Sequence, residues 1–257
     1  MPEGDDARPS PAMPWDEAAW PWWSAALVVT LDLAGAAAAH FGMGWTVYGT
    51  PRAPHLLPEH FLAIFGNWAI ITRLFLALTL LLYFRGRGVP WRAFGLTPDT
   101  RGRWVPFAKV LALSIAAIVV LSAASVIVLR ATGHANEIEP PLHLATSSER
   151  QRWIWIFVVA MPPFEELMYR AILYPMMRRH MGPVAAVLLN GMVFGLLHYF
   201  YGIPIEGVPA YAVGGAILAW VYERTGSLAF PWIVHAAANL AAVVISNYPG
   251  WFETLRG

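Results

Sequence analysis

Met161-Pro-Pro-Phe-Glu165-Glu166-Leu-Met-Tyr-Arg170 sets two adjacent carboxylates and an arginine inside sequence otherwise fit for lipid. A charged side chain near the middle of a bilayer costs roughly 2.5 to 3.5 kcal/mol even on lenient insertion scales, so these three must pair, do chemistry, or both. Pro162 and Pro163 do not continue a helix from upstream but suit the first turn of a new one. The pattern therefore predicts a helix break here, with a restart that carries both glutamates in its first turn, at the positive end of the helix dipole. Glu166 and Arg170 are i and i+4 and are expected to pair along one face. Glu165, about 100° further round the helix, is expected to be left freer.

The flanking sequence fixes the class. The chain has 257 residues, 58% hydrophobic and 13% charged, with mean hydropathy +0.51. This composition predicts an all-α, polytopic membrane bundle of about seven (seven to eight) transmembrane helices around a buried polar cavity, and excludes a soluble enzyme with a large core. Residues 1–18 read as a disordered polar tail, 19–150 as N-terminal helices and loops, 151–247 as the membrane core holding the polar motifs, and 248–257 as a C-terminal tail, all within one structural domain. The expected spans lie at about 20–41, 60–84, 105–129, 153–177, 183–200, 208–222 and 228–247. With no cysteine, thiol nucleophiles, thiolate zinc sites and disulfides are excluded. Lys109 is the sole lysine, and the arginines from Arg85 to Arg103 form the densest basic loop, cytoplasmic by the positive-inside rule. Alanine- and arginine-rich, lysine-poor usage points to a high-GC bacterial genome and hence to the inner membrane.

Other spans carry polar residues of their own. Asp32 in the first and Arg73 in the second are expected to offset each other's burial. Asn190, Phe194 and His198 follow one another at i, i+4 and i+8, with Gly191 and Gly195 beside them to admit a neighbouring helix. His235 and Asn239 are again i and i+4, separated by three alanines. The economical arrangement brings these stripes and the glutamates into one cavity.

Such a cavity has the parts of a hydrolytic site for an amide or ester. Glu165 would take a proton from a water held by His198, and His235 and Asn239 would donate to the developing oxyanion. There is no His-Glu-x-x-His, no second membrane aspartate and no serine in a Gly-x-Ser-x-Gly setting, so other intramembrane protease chemistries lack their residues. Two other readings stand beside this one. In a metal-dependent membrane hydrolase, Glu165, His198 and His235 would be ligands. In a non-catalytic immunity factor or partner-binding scaffold, the polar network would only fix helix register.

Glu165-Glu166-x-x-x-Arg170, Phe194-x-x-x-His198 and His235-x-x-x-Asn239, in that order, resemble the signature motifs of the CAAX protease and bacteriocin-processing (CPBP, or ABI) family of glutamic intramembrane proteases. The similarity runs over about residues 155–245 and includes Tyr169-Arg170-Ala, Glu223-Arg-Thr-Gly226-Ser227-Leu and Pro231-Trp-Ile-Val-His235. It implies that Glu165 is the general base, that His198 shares the water, that His235 and Asn239 polarise the scissile carbonyl, and that Glu166 and Arg170 support the cavity. It implies no metal or cofactor. The implied partners are membrane lipid and a protein or peptide substrate with a membrane-proximal segment, not nucleic acid; a prenylated substrate does not follow.

Overall fold

A computed structural model describes residues 13, 21–48, 58–96, 104–133, 147–201, 203, 205–246 and 249–256. The expected N-terminal tail, Met13 apart, and residues 49–57, 97–103 and 134–146 lie outside the described residues. Among the described residues the chain is helical, with no strand. The helices are α1 (Trp23–Tyr48), α2 (Pro58–Gly86), α3 (Trp104–Ala131), a long helical run α4 (147–180), α5 (Pro183–Tyr199), α6 (Val208–Thr225), α7 (Ala229–Ser246) and α8 (Pro249–Arg256). Each of the seven expected spans falls on a helix, α1 to α7, of which α1 and α2 contain stretches long and apolar enough to cross a bilayer. The expected C-terminal tail is instead the short helix α8, whose last turn is held by Arg130: Nε donates to the Leu255 carbonyl at 2.7 Å and Nη2 to that of Thr254 at 3.0 Å.

The inside and outside of the molecule are exchanged relative to a water-soluble fold. Arg73 and Arg170 are among its largest fully buried side chains, and Asp32, Glu165, Glu166, Asn190, His198 and His235 are buried with them. Phe75, Leu82, Leu113 and Trp155, by contrast, are each about two-thirds exposed (67%, 67%, 69% and 68%). In water that arrangement would leave broad apolar patches unpaired, whereas in lipid the same surface needs no cover. The stretches Trp23–Gly42 in α1 and Asn67–Gly86 in α2 are long and apolar enough to cross a bilayer.

The predicted break at Pro162 does not occur. Residues 147–180 remain helical throughout, but two π-helical segments, Ile154–Ala160 and Leu167–Leu173, bracket the α-helical turn Met161–Glu166. A π segment reaches five residues back, and this relaxed register precedes the two prolines, which supply no N–H. The helix therefore accommodates them without ending. Both glutamates consequently lie well inside a continuous helix and not at a free N-terminus. The dipole expectation for them is corrected accordingly.

Helices α5 and α6 approach each other closely, and glycine makes it possible. A Cβ on Gly191 would come within 2.5 Å of the Ala212 carbonyl oxygen, and one on Gly195 within 2.7 Å of the Ala212 nitrogen. Both obstacles are backbone and do not yield as a side chain would. Gly191→Ala is expected to destabilise the protein by about 1–3 kcal/mol through overpacking, read as a lower melting temperature in detergent. An unchanged melting profile would show that α5 and α6 separate at little cost. The pair brings Phe194 against Gly215 of α6 and fixes the wall on which His198 stands.

Candidate active site

The site is built on α4. Arg170 is completely buried, and its Nε lies 3.2 Å from Glu166 Oε2 while Nη1 donates to Oε1 at 3.2 Å. Its Nη2 donates to the Gly215 carbonyl at 2.9 Å, tying α4 to α6. The expected Glu166–Arg170 pair is therefore present. Glu165 is not left free, however: Arg73, reaching across from α2, forms an ion pair with its Oε1 through Nη1. Both carboxylates are held by guanidinium groups, one from the same helix and one from a distant part of the chain.

Asp32 and Arg73 also meet as expected, with Oδ1 and Nη2 3.8 Å apart. Asp32 has two further partners that hydropathy and spacing gave no reason to choose. The Tyr169 hydroxyl donates to Oδ2 at 2.7 Å and the Tyr201 hydroxyl to Oδ1 at 3.1 Å, while the Tyr201 ring centroid lies 4.0 Å from the Arg73 guanidinium carbon. Their signal was weak. A tyrosine in an apolar segment is common, and only the fold shows which hydroxyl faces a carboxylate.

α7 delivers His235 between the two glutamates. Its Nδ1 is 2.8 Å from Glu166 Oε1 and its Nε2 is 3.5 Å from Glu165 Oε2. Two of the three expected stripes thus converge directly. The α5 stripe joins less directly: Phe194 packs its ring 5.9 Å from that of His235, and the His198 ring lies tilted against Phe194 at 4.3 Å and Tyr211 at 4.7 Å. His198 Nδ1 lies 2.7 Å from the Phe194 carbonyl, so Nδ1 carries the proton and donates it to that oxygen. Nε2 is then the nitrogen left to accept a hydrogen bond. Asn190 sits further along the helix and serves the scaffold, donating from Nδ2 to the Tyr169 carbonyl at 2.9 Å inside the second π segment.

Asn239 also meets a carbonyl that a π segment exposes. Met161 N–H bonds to the Ile156 oxygen, five residues back, and the next residue in that register, Pro162, has no N–H for the Phe157 oxygen. Asn239 Nδ2 fills the vacancy at 2.5 Å. Asn239→Ala should cost about 1–3 kcal/mol by leaving that carbonyl without a donor, and less in a Pro162→Ala background where the N–H is restored. Equal penalties in the two backgrounds, measured by melting, would uncouple the amide from the proline. A primary amide has a second N–H, so this bond leaves Asn239 one donor for a ligand.

An apolar cavity of about 360 Å³ adjoins the cluster, lined in part by Phe194, Tyr211, Gly214, His235 and Asn239. A second, of about 410 Å³, is lined in part by Pro163, Phe164, Glu166, Ser227 and Trp232. Among the described residues no group of three His, Asp or Glu side chains is arranged to hold a metal ion; Glu165 pairs with Arg73 and His235 with Glu166.

A helical chain with ionic side chains inside and aliphatic ones outside, and with carboxylates and imidazole gathered beside an apolar cavity, has the design of an integral membrane protein with a polar site at its centre. Residues 149–241, about a third of the chain, match the family model described as Rce1-like, the type II CAAX prenyl endopeptidases. Its members are integral membrane peptidases. Comparison with curated proteins and with solved structures gave no match. The matched stretch contains all three motifs, whereas α1, α2 and α3 lie outside it.

Proposed function

We propose that this chain is a multi-pass intramembrane endopeptidase that hydrolyses a peptide bond of a membrane-associated protein or peptide by means of a glutamate-activated water. The observation that carries this reading is the position of His235 between Glu165 and Glu166, at the edge of a cavity that also meets Phe194 and Asn239. Glu165 is the general base. Its Oε1 is taken by Arg73, while Oε2, on the His235 side, keeps a lone pair for the proton of water. His198 accepts a hydrogen bond from the same water through Nε2, which fixes the water's orientation. His235 and the second N–H of Asn239 donate to the carbonyl oxygen as it becomes an oxyanion. Glu166 and Arg170 hold His235 and the α4–α6 contact in place. Collapse of the tetrahedral adduct then breaks the C–N bond, and the proton taken up by Glu165 passes to the leaving amine.

The apolar lining of the cavity favours a substrate segment that arrives from the membrane, such as the end of an anchor, a leader peptide or a sorting segment. Arginine-rich, lysine-poor composition favours the inner membrane of a bacterium as the location, and argues against a prenylated substrate. The test compares the termini of membrane and secreted proteins, by mass spectrometry, in cells holding the wild-type chain and cells holding Glu165→Gln at equal abundance. Specific termini that vanish in the variant would identify both substrate and cleavage site.

One observation favours a second reading. Glu165, Glu166 and Asp32 each already have a partner inside the protein, as a network kept only for helix register would require. Identical termini in both strains, under conditions where the cell needs the protein, would support that scaffold reading and remove the proteolytic one.

A further inference from the structure

The counter-charge for Glu165 comes from outside the segment shared with the CAAX protease family, which begins at residue 149. Within α4 the guanidinium of Arg170 is directed to Glu166 and the Gly215 carbonyl. Arg73 on α2 takes the Glu165 position, and the surrounding residues fix it there. Asp32 on α1 draws Nη2, the Tyr201 ring lies against the guanidinium, and the Tyr169 and Tyr201 hydroxyls orient Asp32. Arg73 is 1% exposed and Asp32 fully buried, so neither charge is solvated by bulk water. A carboxylate in such a place remains ionised only if a cation stays beside it, and a guanidinium does not release its proton in a protein.

We infer that Arg73 is a positioning residue for the reaction: it holds Glu165 as an ionised carboxylate with Oε2 turned toward His235, and the α1–α2 pair with Asp32 presents it for that purpose. This rests on the reading of Glu165 as the general base. Sharing Arg73 with Asp32 matters, because a guanidinium held wholly by Glu165 would engage both carboxylate oxygens and compete with water for Oε2. The N-terminal helices thus complete a site that the matched segment alone does not contain.

The test uses the full chain in lipid vesicles, with Arg73→Met, Arg73→Lys and Glu165→Gln variants. Infrared difference spectra against Glu165→Gln isolate the Glu165 band and need no turnover. With Arg73 present that band should be the carboxylate stretch, and in Arg73→Met it should be replaced by a protonated carboxyl stretch. On the peptide identified by terminus comparison, Arg73→Met should lower kcat by at least about tenfold with KM nearly unchanged, and Arg73→Lys, which restores the charge but not the fork that bridges Glu165 and Asp32, should recover part of the loss. If Arg73→Met does not fold, Arg73→Gln removes the same charge while keeping a donor for Asp32. A Glu165 band and kcat unchanged in a folded neutral variant would overturn the assignment. A band that changes as expected in a protein that cleaves no peptide would leave Arg73 as the counter-ion and defeat the proteolytic reading alone.

Discussion

Purified Glu165→Gln protein is expected to hydrolyse its substrate about 10²- to 10⁴-fold more slowly than the wild type, the usual contribution of a positioned general base. Glutamine matches glutamate in size and still offers an oxygen to Arg73, but an amide does not accept a proton from water. The loss should therefore fall on kcat, with substrate affinity kept, because the cavity lined by Phe194, Tyr211 and His235 is untouched. Stability should change little, since Arg73 retains Asp32 at 3.8 Å and the Tyr201 ring at 4.0 Å. A matched melting temperature would establish that lost activity is lost chemistry. Activity within a few-fold of wild type, in protein free of contaminating peptidase, would remove Glu165 from the reaction.

Arg170→Met is expected to damage the fold itself, by about 3–5 kcal/mol, because it strands a buried charge. Arg170 has no exposed surface, donates to Glu166 Oε1 at 3.2 Å and to the Gly215 carbonyl at 2.9 Å, and keeps its Nε 3.2 Å from Glu166 Oε2 as an ion pair. With methionine there, Glu166 keeps only His235 at 2.8 Å, and the Gly215 carbonyl loses the Arg170 donor. Chemical denaturation in detergent would measure the loss. The double variant Glu166→Gln/Arg170→Met should be less destabilised than Arg170→Met alone, since removing both charges costs less than orphaning one. A double variant that is worse by the full sum of the two single losses would mean that the pair is not coupled, and that each residue acts through other contacts.

The contrast between these two glutamates shows where reading from the chain reaches and where it stops. The i, i+4 spacing of Glu166 and Arg170 announced their pair, and the helix alone enforces it. Glu165 is its neighbour in sequence, yet its partner Arg73 lies 92 positions away by numbering (165 − 73). Nothing local distinguishes a freer carboxylate from one that a distant helix will meet. The prolines misled for a related reason: their missing N–H groups predict a break only if the preceding helix keeps α register, and residues 154–160 adopt π register instead. Asn239, chosen for its place beside His235, contacts the Phe157 carbonyl because of that same local change.

By itself, the sequence determined the all-helical membrane class, the placement of the seven long helices, the clustering of polar residues in α4, α5 and α7, and the one ion pair that helical periodicity dictates. These follow from composition and from a 3.6-residue repeat, which are properties of a segment taken alone. Only the tertiary structure decided that Arg73 faces Glu165, that His235 stands between two carboxylates, and that Tyr169 and Tyr201 secure Asp32. Those contacts depend on how far helices rotate and how closely they approach. Glycines at 191 and 195, two π segments and burial inside a lipid-facing shell set those distances together, and no single segment encodes them.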